Sequence, residues 1–117
     1  MSDRELLELA AKAAGLPVDM TNEGGIGWFA CGKSDDGETV WWNPLKSDGD
    51  ALRLAVDLDL NVFHAANCAY AMSSENDESN EQRVSYAGAG DKYKATRIAI
   101  VRAAAEIARA ALAQEGS

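Results

Sequence analysis

Trp41-Trp42-Asn43-Pro44-Leu45-Lys46-Ser47-Asp48-Gly49-Asp50-Ala51-Leu52-Arg53-Leu54-Ala55-Val56-Asp57-Leu58 is the stretch whose reading decides the fold. It opens on bulky residues suited to a pleated, half-buried strand, and Pro44 then stops the strand because it cannot donate to a ladder. Ser47 and Asp48 begin a helix: Asp48 and Asp50 suit both capping and the positive end of the helix dipole. Ala51, Leu54, Ala55 and Leu58 share one helical face, with Leu52 and Val56 widening it. A strand feeding directly into an amphipathic helix means a mixed α+β domain. Adjacent tryptophans on a strand point to opposite faces, so one faces the helices and the other lies nearer solvent.

Upstream of this stretch, Asp36-Gly37 tolerates positive φ and makes a hairpin turn. Its partner strand alternates Ile26, Trp28 and Ala30 with Gly27, Phe29 and Cys31, and is apolar on both faces. Residues 19–25 read as loop. Further back, Ser2 with Glu5 three residues on forms a capping box for a helix over residues 3–14, ended by Gly15 and kept from resuming by Pro17.

Downstream, residues 61–72 read as one long strand, with Val62, His64, Ala66, Cys68 and Tyr70 on one face. Residues 73–80 contain no apolar side chain and are expected to form a mobile acidic loop. Residues 83–87 return as a strand, Gly88-Ala89-Gly90 breaks it, and the last helix spans about 91–113. Ile100, Ala104, Ala108 and Ala111 form its stripe, and Arg102 can pair with Glu106. The expectation is one domain over 1–117: a four-stranded, mainly antiparallel sheet with three helices in the order α-β-β-α-β-β-α.

Composition narrows the functions. The net charge is −8, from 19 acids and 11 bases. It is split unevenly: residues 1–81 carry 16 acids against five bases (−11), residues 82–117 three against six (+3). Such acidity argues against direct nucleic-acid binding and suits solubility or docking on a basic partner. No apolar run reaches the ~20 residues of a membrane helix. The first residues have neither the basic nor the apolar region of a signal peptide, so the expected compartment is cytoplasmic. Cys31 and Cys68 form no CxxC pair, and with the single His64 they cannot make a four-ligand zinc site. Two reduced, buried thiols are expected.

No catalytic set, metal site or cofactor motif emerges. His64 and Cys68 on one strand would stand roughly 13 Å apart, too far for proton transfer; His64 could meet Cys31 only if their strands adjoined. Gly88-Ala89-Gly90 before a helix, followed by Lys92, Lys94 and Arg97, could present N–H groups to an anion. The third glycine of a dinucleotide fingerprint is absent, since Tyr93 stands in its place, and the simpler reading is a tight turn. Trp41, Trp42 and Asn43 with Asp48 and Asp50 form the densest cluster of unusual residues. It reads either as a ligand or partner platform or, more simply, as core, lid and helix cap. The acids lack the frame of a calcium loop.

The stretch 41–58 resembles a signature of small phage and prophage proteins, and Tyr93-Lys-Ala-Thr-Arg-Ile-Ala-Ile-Val-Arg-Ala-Ala-Ala-Glu-Ile107 is similar to that family's closing helix. The family is described as a phage α/β/α sandwich domain without an assigned activity. The resemblance implies helices on both sheet faces, a phage-encoded accessory protein and the host cytoplasm. It transfers no catalytic residue. Together with the acidity it points to a non-enzymatic binder of a host protein, with an anti-defence or host-takeover role. The alternative is a small-ligand binder that sequesters a nucleotide or other anion near Lys92, Lys94, Arg97 and the tryptophans. An exposed tryptophan would also suit a homodimer.

Overall fold

The computed structural model describes residues 2–73 and 81–115. The acidic loop expected over 73–80 lies, from residue 74 on, outside the described residues. The elements run α1 (Asp3–Ala14), β1 (Val18–Gly25), β2 (Trp28–Lys33), β3 (Thr39–Trp42), α2 (Asp48–Asp57), β4 (Leu60–His64), β5 (Cys68–Ser73), β6 (Gln82–Ser85), α3 (Tyr86–Ala89) and α4 (Lys92–Glu115). The α+β class holds. The single four-stranded sheet with three helices does not: among the described residues there are two separate three-stranded antiparallel sheets, β1-β2-β3 and β4-β5-β6, and four helices.

Two misread segments account for the difference. Residues 18–25, polar enough to look like loop, form the edge strand β1 against β2, where an exposed strand can carry polar side chains. Its register with β2 shifts twice, between Asp19 and Gly25. The apolar run 61–72 is not one strand. It breaks after His64 and returns as β5, with His64 opposite Ala69 and Ala65 N–H donating to Cys68 C=O at 3.0 Å. Cys68 therefore comes back toward His64 across a hairpin instead of standing four residues along one strand.

The first helix matches its expected span. Ser2 Oγ accepts from Glu5 N–H at 3.2 Å, and its hydroxyl donates to the Glu5 carboxylate at 3.1 Å. Gly15 ends the helix at φ +66°, where a side chain would be strained. In α2 the cap is Ser47, whose Oγ accepts from Asp50 N–H. Ala51, Leu54 and Ala55 are buried, but Leu52 and Val56 are 63% and 65% exposed. Those two do not widen the buried face.

The last helix is the axis of the molecule. Ala95, Ala99, Val101, Ala103, Ala104 and Ala105 are all buried, so the middle of α4 is enclosed on nearly every side. It packs on α1 and α2 and lies across the second sheet, where Ala69 and Ala71 of β5 also have no exposed surface. Small side chains on both partners allow that close approach. The first sheet adds its large residues, Phe29 and Trp42, to the same core beside Leu7. Glu106 pairs with Arg109, three residues on, in place of the expected Arg102.

Candidate functional site

The tryptophan–aspartate segment is a structural clasp. Trp42 is buried opposite Phe29. Trp41, 40% exposed, lies over Gly24, where any Cβ would come within 2.6 Å of its ring. Asn43 is buried with its groups spent: Nδ2 donates to Gly27 C=O at 2.6 Å and Oδ1 accepts from Leu45 N–H at 2.8 Å, an Asx turn. Its own N–H donates to buried Asp50 Oδ2 at 3.0 Å. The other Asp50 oxygen accepts from Arg53 at 2.6 Å. Trp42, Asn43 and Asp50 thus fix strand to helix and offer a ligand nothing.

Asp48, Lys92 and Arg97 do converge. With α2, β4 and α4 they line a cleft of about 610 Å³ whose remaining wall is mostly apolar, including Ala51, Ala55, Val62 and Ile100. Arg97, its side chain 18% exposed, donates to Asp48 at 2.6 Å and to Leu45 C=O at 2.9 Å. On the β4 side, His64 Nε2 lies 2.8 Å from Thr96 Oγ1. The Thr96 hydroxyl has one proton and donates it to Lys92 C=O at 2.7 Å, so it accepts from His64. Hydrogen counting thus places a proton on Nε2. Leu52 and Tyr93, both well exposed, border the opening.

Lys94 goes elsewhere. A second cleft, of about 790 Å³, lies between the start of α1, the β1–β2 turn, residues 43–46 and α4, and Arg4, Lys46, Lys94 and Arg97 all face it. Arg97 is the wall common to both clefts. At 88–90, read more simply as a tight turn than as an anion-presenting one, the glycine donors are engaged within the protein. Gly88 belongs to the short helix α3 with its N–H on Ser85 Oγ, and the Asp91 carboxylate already accepts from Lys94 N–H at 2.8 Å. The protein's own acid fills the start of α4.

The thiols stand apart. Cys31 belongs to the first sheet and Cys68 to the second, and both are free. Burial, and secondarily the nearby Asp50 carboxylate, push the Cys31 thiol up. Cys68 is buried with its sulfur against Asn67 Oδ1 at 3.4 Å. Since β2 and β4 do not adjoin, His64 does not meet Cys31. Among the described residues no three His, Cys, Asp or Glu side chains are placed to hold a metal ion. Nor is any helix there long and apolar enough to cross a membrane.

Two features escaped the sequence reading. The His64–Thr96 contact joins residues 32 apart with no shared motif, so no local signal could reveal it. The pinned turn at Ile26-Gly27 had one signal, Gly27, which stands at φ +83°. No family model, no curated protein and no solved structure matches the chain.

Proposed function

We propose that the chain is a non-enzymatic binding protein that holds an amphipathic helix of a partner protein in the cleft between α2, β4 and α4. The observation that carries this reading is the exposure of Leu52 and Val56, four residues apart on one face of α2, with Leu52 itself on the wall of the mostly apolar cleft. Apolar side chains in that spacing leave a stripe dry only when a second apolar face covers it. A groove between helices, lined by small and branched residues, takes the i, i+4 anchors of a partner helix. The exposed acids Asp48, Asp57 and Asp59 at the ends of α2 favour basic flanks on that helix. The likeness of residues 41–58 and 93–107 to small phage proteins supplies the setting: a phage- or prophage-encoded accessory protein acting on a host protein in its cytoplasm.

The test is affinity capture from host lysate with three baits: the natural chain, Leu52→Asp, and Leu112→Asp at the far end of α4. One protein retained by the natural chain and by Leu112→Asp, but lost with Leu52→Asp, supports the reading. A capture profile that Leu52→Asp leaves unchanged refutes it.

A further inference from the structure

The second cleft reverses the sign of the molecule. Across the chain acids outnumber bases 19 to 11, yet four cations from three distant segments (Arg4, Lys46, Lys94, Arg97) face this one recess, against the carboxylates Asp3 and Glu23. Neither of those acids forms an ion pair with them. Glu23 accepts from Gly27 N–H at 3.1 Å, and Asp3 stands in the first turn of α1, near the positive end of the helix. Arg97 is balanced by Asp48. The other three are not balanced by any carboxylate among the described residues. Arg4 donates to Met20 C=O at 2.6 Å and stacks on Phe29, Lys46 donates to Ile26 C=O at 2.7 Å, and no hydrogen bond or ion pair holds the Lys94 ammonium.

The rest of the recess is apolar, with Leu7, Phe29, Leu45 and Ile98 on its wall. Its lip is Ile26, 89% exposed. That exposure is held in place. Glu23, Asn43 and Lys46 each bond the main chain of the Ile26-Gly27 turn, and a Cβ on Gly27 would sit 3.0 Å from Asn43 Nδ2. Three polar side chains that fix one turn keep an isoleucine in water beside three cations, Arg4, Lys46 and Lys94, that no carboxylate among the described residues pairs with. The volume falls in the range of small-ligand sites, where apolar walls surround a few oriented charges.

We infer that this recess binds a small organic anion, a phosphate monoester or carboxylate with an apolar body, independently of the partner helix in the first cleft. Lys94, Lys46 and Arg4 take the anionic group, and Ile26 with Leu45 and Ile98 covers the body. The net charge of −8 disfavours a polyanion and suits a small anion instead.

Phenyl phosphate and inorganic phosphate, titrated separately against ¹⁵N-labelled protein, test it. Phenyl phosphate should shift the Gly27 and Lys94 amides saturably and bind more tightly than inorganic phosphate. Lys94→Gln, which breaks no contact of the fold, should weaken phenyl phosphate about tenfold, the loss of one charge-assisted bond. Ile26→Ser should weaken phenyl phosphate and leave inorganic phosphate unchanged. Lys33→Gln, at the other end of β2, and Leu52→Asp, in the first cleft, should bind as the natural protein does. The inference fails if those amides do not saturate. It fails equally if Lys33→Gln weakens binding as much as Lys94→Gln, which would mean diffuse attraction, or if both phosphates bind alike.

Discussion

The two three-stranded sheets solve the same packing problem with opposite materials. The first, β1-β2-β3, places two large side chains, Phe29 and Trp42, in the core and has register shifts in both of its strand pairings. Side chains that reach the main chain from elsewhere, Asn43, Lys46 and Asp50, hold its irregular end in place. The second, β4-β5-β6, has uninterrupted register and faces α4 with alanines. One half is a few big pieces tied with polar bonds, the other many small pieces fitted closely. The tied half can afford bulges and turns, and the pinned turn at Ile26 is one of them. The fitted half cannot, because an alanine interface tolerates no displaced backbone.

The comparison predicts opposite modes of failure. In the first sheet, Phe29→Ala removes one of the largest fully buried side chains and should cost about 3–5 kcal/mol through the cavity it leaves. In the second, the damaging change is addition. Ala71→Leu places a larger side chain where no exposed surface remains and should cost about 1–3 kcal/mol by overpacking. Denaturant unfolding of the two variants measures both. If Ala71→Leu stabilises the protein, the β5–α4 interface has room, and the contrast collapses.

The clasp gives a smaller effect that sharpens the same contrast. Asp50→Ala leaves the buried Asn43 N–H without its acceptor and should cost about 1–3 kcal/mol. Most of the loss should appear locally, as faster amide exchange at Asn43, Leu45 and Gly27, with the β4–β5 pairing protected as before. Exchange that quickens equally in both sheets would mean that the clasp supports the whole core and not its own half.

The same division decides what could be read from the chain. In the first half, the signals were local and strong. Asp36-Gly37, Pro44 and Ser47 mark a turn, a stop and a start by their own chemistry, and those boundaries appear where expected. There β1 was missed, because Thr21, Asn22 and Glu23 are polar on an edge strand whose pairing partner, not composition, makes it a strand, and Ile26-Gly27, which continue the alternation of β2, form the turn before it. In the second half, the pattern itself misled. Ala65-Ala66-Asn67 contains neither glycine nor proline, so period-two alternation runs through the hairpin without a break. Residues 86 and 87, expected to end the returning strand, instead open the short helix Tyr86–Ala89 together with the first two residues of the expected break. As for the sites, Lys92, Lys94 and Arg97 were identified as a group, but helical geometry divides them between two clefts. Leu52 and Val56 looked like core because apolar character does not say which neighbours arrive to cover it.

The finest test of the comparison is acid pH. Two carboxylates of the first half are held below the usual aspartate range, Asp36 by the Ser34 hydroxyl and then the Glu38 N–H, and Asp19 by the Thr21 hydroxyl and then its N–H. A carboxylate with a depressed folded-state pKa stabilises above its unfolded value of about 4, and the contribution disappears as pH falls through the folded value. Both groups are fully exposed, so the effect is local. Titration followed by NMR should therefore show Asp36 protonating below an unstructured aspartate, with the Glu38 amide losing protection over the same interval. Asp36→Asn should remove that acid response from the β2–β3 turn and leave the Thr21 amide, which answers to Asp19, still titrating. An Asp36 midpoint at or above the ordinary value would mean that the turn is not tied by its side chains, and the polar bonding that distinguishes the first half would not extend to its hairpins.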